Sequence, residues 1–229
     1  MDFLKERHKV LVLAPHMDDE VIGCGGSLIK HSEAGDSIDV IYFTNGSHFV
    51  SDMELRKQKT ANRLSEAKRV CGELGMKYHM LDIDDRSLTY NETLLKNVVD
   101  LLIEISPDIV YVPHKKEGDR EHRIVHKIFC EANWLASDVF FIEKGKKREC
   151  PKLVLEYEVW TPLTEIDLYE DITDYMDKKM DLISYYESQI MFTDYAEAAR
   201  GLNVYRGTIG KGKKSYAEAF KIQRICLDE

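Results

Sequence analysis

Residues that break regular structure are scarce here: of 229 residues only 5 are proline and 13 are glycine, with no tract of either. That scarcity excludes fibrous and low-complexity chains, and a hydrophobic share of 44% excludes a chain without a core. A basic excess is also missing. With 32 basic against 41 acidic residues the net charge is −9, the wrong sign for a general nucleic-acid binder. No apolar run approaches the roughly 18 residues of a membrane span, so none is expected. The opening MDFLKERHKV is too charged for a secretory signal, and the expected location is cytoplasmic. The five cysteines, Cys24, Cys71, Cys130, Cys150 and Cys226, form no CxxC pair. Neither a disulfide framework nor a thiolate zinc site has the spacing it needs, and the cysteines read as small core or surface residues. No repeat or linker divides the chain, so one domain over residues 1–229 is expected.

What the sequence does hold is a series of short apolar runs at residues 9–14, 38–43, 78–83 and 108–113. They are unbroken rather than alternating, as strands buried on both faces of a parallel sheet must be. Helical stretches lie between them. Residues 20–34 end at Gly35, 54–74 end at Gly75, and 93–105 end before Pro107. Strands separated by helices predict an α/β fold, a Rossmann-like open and mostly parallel sheet flanked by helices, with a C-terminal α/β extension packed on it. A helix over 122–136 follows the fourth strand. Residues 152–160 (KLVLEYEVW) alternate like a half-exposed strand, and 171–189 read as an amphipathic helix capped by Asp171. A last helix is expected near 215–226. Two basic clusters, 144–148 (KGKKR) and 211–214 (KGKK), read as solvated loops.

Chemistry is concentrated after the first strand, in Ala14-Pro15-His16-Met17-Asp18-Asp19-Glu20. Three adjacent acids beside a histidine at the end of a buried strand oppose stability, through mutual repulsion and desolvation. A dication reverses that balance by attracting each of them. His16 and Asp19, three apart at a strand-to-helix turn, can reach one ion. Asp18, between them, is left to act on a nucleophile as base. The fourth strand ends in a second polar loop, from His114 to Arg123. Ligands of open α/β sheets bind at the carboxyl ends of strands where the strand order reverses. With an order 3-2-1-4-5 the two loops meet in one crevice, and His122 supplies a third ligand. Two histidines and a carboxylate with one open position make up a catalytic zinc site. Taken singly, each fragment has an ordinary structural explanation, such as acids favouring a helix N-terminus. Their joint placement at neighbouring strand ends points to function.

The stretch from His16 to Glu20, followed by GCGG at 23–26 and FTNG at 43–46, resembles the PIG-L/LmbE family of zinc-dependent N-deacetylases. That family carries an HPDDE motif after the first strand, and here Met17 stands in place of its proline. Its second motif, H-x-x-D-x-H-x-D-H-R, aligns without gaps from His114 to Arg123. Further matches are Arg63-x-x-Glu66, Leu81-Asp82-x-x-Asp85, Tyr157-Glu158-x-Trp160 and the segment from Tyr216 to Phe220, so the likeness spans nearly the whole chain. Glu117 and Glu121 replace aspartates and keep a carboxylate. Asp119 stands where many members have a histidine that polarises the carbonyl or protonates the leaving amine.

The resemblance implies removal of acetyl from an N-acetylated amino sugar, a small-molecule substrate of GlcNAc glycoside, glycolipid or nucleotide-conjugate type. It implies Zn²⁺ on His16, Asp19 and His122, although Fe²⁺ or another divalent ion suits the same donors. Asp18 would be the general base. Asp119 could be an acid only if its pKa were raised, and His114 is a substitute for it. Glu121 would orient a histidine ring from behind. Arg63 and Asp85 would bind the sugar or its anomeric substituent. Trp160 could stack on a sugar ring, although the residue reads first as a buried anchor. Homo-oligomers are implied without a stoichiometry. A nucleotide-binding Rossmann protein is disfavoured, because no GxGxxG lies in the first turn and acids crowd where a pyrophosphate would sit. A family member that binds sugar or scaffolds a complex without catalysis has only Asp119 in its favour, and the retained Asp18 opposes it.

Overall fold

The computed structural model describes residues 7–47, 50–137, 149–191, 193–212 and 215–225. Its first half follows the apolar runs. Strands β1 (Lys9–Ala14), β2 (Ser37–Thr44), β3 (Lys77–Ile83) and β4 (Ile109–Pro113) are joined by helices α1 (Asp19–Ala34), α2 (Met53–Leu74) and α3 (Glu92–Ile105), and α4 (Arg120–Ser137) follows β4. Gly35 and Gly75 close α1 and α2 with φ of 80° and 64°, a left-handed conformation that glycine adopts without strain.

Side chains alternate across the strands and fill two cores. Val10, Val12 and Ala14 meet Ile38, Val40 and Tyr42 on the face that α1 and α2 cover. Leu11 and Leu13 meet Ile41, Phe43, Val110 and Val112 on the face that α3 and α4 cover. Burial on both faces is why the runs are continuous rather than alternating.

The sheet has seven strands in the order β3-β2-β1-β4-β5-β7-β6, adding β5 (Leu153–Tyr157), β6 (Leu168–Asp171) and β7 (Ala217–Ile225). β1 pairs in parallel with β2 on one side and β4 on the other. The strand order therefore reverses beside β1, and a crevice opens at the carboxyl ends of β1 and β4.

The C-terminal part departs from the sequence reading in three places. The strand within 152–160 is not half-exposed, because β4 flanks β5 in parallel and β7 flanks it antiparallel, and Val154 and Tyr157 enter opposite cores. The single helix expected over 171–189 is broken. Asp171 ends β6 and its carboxylate accepts from the N–H and hydroxyl of Thr173, which starts a turn instead of capping a long helix. The helical pieces are α5 (Met176–Ser184) and the short α6 (Glu187–Ile190), and Ile172, Met176, Met180, Ile183 and Tyr186 are buried as the pattern requires. Residues 217–225 form a strand where a helix was expected. Their alanines and Glu218 favour a helix in isolation, but a free edge on β5 and the partner β6 decide the outcome. Helix α7 (Tyr195–Lys211) has no counterpart in the sequence reading. Residues 144–148, 213, 214 and Cys226 lie outside the described residues. Among the described residues no helix is long and apolar enough to cross a membrane.

Helix α1 is fitted closely to this C-terminal layer. It kinks at Cys24 (φ −138°, ψ 22°), and Glu218 of β7 accepts from the backbone N–H groups of Gly26 and Ser27 at 2.7 and 2.9 Å. The buried ammonium of Lys179 answers the Glu218 charge at 2.8 Å. Gly23 leaves room for Tyr157: a Cβ there would stand 2.3 Å from the ring, which is itself pinned by a 2.8 Å bond from its hydroxyl to the Leu13 carbonyl. A Gly23→Ala protein should therefore lose about 1–3 kcal/mol of stability through overpacking, read as a lowered denaturation midpoint at an unchanged slope.

Candidate active site

The crevice at the ends of β1 and β4 has a volume of about 530 Å³, and His16, Asp18, Arg63, Asp85, Arg86, Asp119 and Trp160 are among its lining residues. His16 lies in the loop after β1, Asp19 opens α1, and His122 lies in the first turn of α4. Three of their atoms converge. His122 Nε2 is 3.1 Å from Asp19 Oδ2, His16 Nδ1 is 3.2 Å from the same oxygen, and the two nitrogens are 3.3 Å apart. Ligand atoms about 2.0–2.1 Å from a tetrahedral zinc lie about 3.3 Å from one another, so this triangle has the dimensions of three corners of such a site. Asp19 Oδ1 and His122 Nδ1, the atoms of these side chains that lie outside the triangle, are buried without a hydrogen-bond partner among the described residues. The donor set and its spacing fit a divalent cation.

The electrostatics agree. Burial alone would depress the His16 pKa, but its bonds to Asp19 and Glu121 outweigh burial and raise it to about 10, so positive charge is strongly favoured at this point. Burial pulls the Asp19 carboxyl up, yet His122 and His16 together hold it far below the usual range. The ring of His16 is fixed from its far side by Glu121 Oε2, 2.9 Å from Nε2, while Glu121 Oε1 accepts from the Leu88 N–H. Glu121 thus lies behind a histidine, and that histidine is His16 rather than its sequence neighbour.

Asp18 sits at the turn with φ 158°, its N–H bonded to Glu20 Oε2 at 3.1 Å. Burial raises its carboxyl pKa and Arg63, at 2.7 Å from Oδ2, opposes the rise. Glu20 in turn accepts from the Tyr186 hydroxyl at 2.5 Å and is pushed by burial to about 7. Arg63 reaches Asp18 past Gly46, whose φ is 74° and whose Cβ, if present, would stand 2.6 Å from the arginine chain. Asp85 Oδ1 holds the Gly46 N–H at 2.9 Å. Arg63 and Asp85 are both buried in the crevice wall.

Three expectations change. Asp119 accepts from the Glu121 N–H at 2.7 Å and pairs with Arg86 at 2.5 Å. Burial would raise its pKa, but these partners hold the carboxyl below the usual range, so it is ionised at neutral pH and has no proton to give. His114 is buried with both ring nitrogens occupied: Nε2 donates to the Thr161 carbonyl at 2.7 Å, and Nδ1 accepts from the Lys116 N–H at 3.2 Å. It does not line the crevice. Trp160 is no buried anchor either; it is 40% exposed, and its ring packs 5.0 Å from that of Tyr195. Sequence reasoning missed Arg86, Gln189 and Tyr195 in the lining, the last because the helix that carries it was not foreseen. Cys24 is inert, buried with its thiol pushed well above the ordinary value.

Comparison with known proteins gives a consistent placement. The family profile described as GlcNAc-PI de-N-acetylase, PIG-L, matches residues 11–133. A diacetylchitobiose deacetylase of Thermococcus kodakarensis is 33% identical over 195 residues, covering 79% of this chain and 70% of that protein. Among solved structures, the 4-carboxy-2-hydroxymuconate hydratase GalB of Pseudomonas putida superposes with a TM-score of 0.85 at 22% identity, covering 96% of this chain and 98% of its own. The N,N'-diacetylchitobiose deacetylase of Pyrococcus horikoshii does so with a TM-score of 0.83 at 24% identity, covering 96% and 85%. At such identities the structural likeness is one of fold.

The buried Asp18–Arg63 pair generates a direct test. An Arg63→Met protein leaves a carboxylate without its counter-charge and should lose about 3–5 kcal/mol in urea unfolding. Adding Asp18→Asn should return most of that loss, as a double-mutant cycle would measure.

Proposed function

The chain belongs to the GlcNAc-PI de-N-acetylase family, and from that premise we propose that it is a divalent-metal-dependent hydrolase that removes acetyl from an N-acetylated amino sugar. The observation that carries this reading is the triangle of His16 Nδ1, Asp19 Oδ2 and His122 Nε2, with edges of 3.1–3.3 Å, beside a buried Asp18. When bound there, a cation such as Zn²⁺ supplies Lewis-acid polarisation of the amide carbonyl and makes water more acidic.

The chain's own residues do the rest. Arg63 anchors Asp18 through Oδ2, which orients the carboxylate toward the crevice. Asp18 accepts the proton of the attacking water as the C–O bond forms. Burial, by favouring its neutral form, lets Asp18 hold that proton and then return it to the amine nitrogen as the C–N bond breaks. Asp119, ionised beside Arg86, and His114, turned into the Thr161 contact, do not share the proton transfer. Glu121 keeps the His16 ring in the orientation that presents Nδ1 to the cation. Arg63, Asp85 and Trp160 line the space a sugar ring would occupy. The Thermococcus kodakarensis relative is a diacetylchitobiose deacetylase, which supports an N-acetylglucosamine-type substrate for this chain.

Acetate release should be measured over a panel of N-acetylglucosamine glycosides and conjugates. The expected result is turnover that stops on chelation and returns with Zn²⁺. Asp18→Asn should lower kcat by about 10²–10⁴ while the protein keeps one metal per chain. A metal-loaded protein that turns over no member of the panel would overturn the amino-sugar reading.

A further inference from the structure

Behind the ligand triangle two buried atoms face each other without a bond. His122 Nδ1 and Glu117 Oε2 stand 3.8 Å apart, and neither has a hydrogen-bond partner among the described residues. A buried donor and a buried acceptor left unmade are rare, and here each is the other's nearest complement. Ligation of a cation through Nε2 fixes the ring proton on Nδ1, so that the proton points at Glu117.

The other oxygen of the same carboxylate is fully used. Glu117 Oε1 accepts from three consecutive backbone N–H groups, those of Val159 at 2.8 Å, Trp160 at 3.0 Å and Thr161 at 3.2 Å. The same loop is tied to the segment before α4 at two more points. The Thr161 carbonyl accepts from His114 Nε2, and Thr161 Oγ1 accepts from the Gly118 N–H at 2.8 Å. This loop aims Trp160 into the crevice, where its ring centroid is 6.4 Å from that of His122. One carboxylate therefore stands between a metal ligand and the aromatic wall of the substrate space. Its partners also explain why the position carries an acid: a glutamine could not accept the ring proton with a charge, and an apolar residue would strand three N–H groups.

We propose that Glu117 is a positioning residue that couples the metal ligand His122 to the Trp160 loop, so that binding of the cation closes the hydrogen bond from His122 Nδ1–H to Oε2 and, by fixing the carboxylate, tightens the hold of Oε1 on Val159, Trp160 and Thr161. This inference rests on the metal reading given above and extends it from the ligands to the substrate wall.

The sequence holds two tryptophans, Trp134 and Trp160, and a Trp134→Phe background leaves Trp160 emission as the reporter. Chelator-treated protein is titrated with Zn²⁺ alone, which does not itself quench. The expected result is a shift in Trp160 emission that saturates at one equivalent per chain. With Glu117→Gln the Zn²⁺ affinity should weaken about 10–100-fold, and the emission shift at saturation should be lost. Charge-conserving Glu117→Asp should recover part of both. Hydrogen exchange on the unaltered chain is the second readout, needing no variant to fold: the amides of Val159, Trp160 and Thr161 should exchange more slowly with Zn²⁺ bound. Unchanged affinity in Glu117→Gln, or equal exchange with and without Zn²⁺, overturns the coupling alone. No Zn²⁺ uptake by the unaltered chain overturns the metal reading and the coupling with it.

Discussion

Five carboxylates, those of Asp18, Asp19, Glu20, Glu117 and Glu121, are buried around the carboxyl ends of two adjacent strands. Left uncompensated, any one of them would be costly, and together they repel. The local structure can be understood as the set of answers to that charge. Arg63 answers Asp18, Tyr186 and a backbone N–H answer Glu20, three backbone N–H groups answer Glu117, and Leu88 with His16 answers Glu121. Asp19 is met by two histidines and by the backbone N–H of His16. A cation held where His16, Asp19 and His122 converge would add positive charge at the centre of these acids, in keeping with the function proposed above.

That constraint reaches well into the scaffold. Arg63 can meet Asp18 only because Gly46 has no side chain and takes a positive φ, and Gly46 is held by Asp85. Helix α1 can carry Asp19 and Glu20 into the crevice only because it lies close against β5 and β7, with Gly23 under Tyr157 and the kinked Gly26–Ser27 backbone on Glu218. Glu218 is balanced by Lys179, which also donates to Asn203 of α7. The strand, the two helices and the buried ion pair of the C-terminal layer thus support the element that opens the candidate metal site. They are part of the site's rigidity rather than an appendage to it.

The parts of this arrangement that could be read from the sequence are those governed by local rules. Continuous apolar runs marked β1 to β4, and glycine or proline marked the helix stops, because burial on both faces and left-handed caps leave signatures within a few residues. The cluster from His16 to Glu20 was legible because acids beside a buried strand have few structural explanations. The C-terminal half was not, since its elements are chosen by partners far away in sequence. Ala217 to Phe220 has helical composition and becomes a strand because β5 offers an edge. The helix expected over 171–189 starts late because Ile172 donates to the Tyr216 carbonyl, and it breaks at Tyr186 (φ −85°, ψ 55°). Roles that depend on orientation were also out of reach. Asp119 and His114 have the right chemistry for acids, and only their bonds to Arg86 and Thr161 decide against them.

A hydratase and a deacetylase both superpose on this frame, so the frame alone selects no reaction. What selects is the charge and proton inventory at the crevice. An amide must receive a proton on nitrogen before that nitrogen can leave, and Asp18, in the crevice lining, is a carboxylate whose burial favours the neutral form. Arg86 and the start of α4 both stabilise the Asp119 anion, which opposes a donor role for it. On the function proposed above, proton uptake and proton delivery fall to Asp18, whose burial raises its pKa while Arg63 keeps the rise in check. Too strong a counter-charge would leave Asp18 unable to hold the proton, and too weak a one would leave it unable to take it up. The placement of one guanidinium, fixed by one glycine, sets that balance.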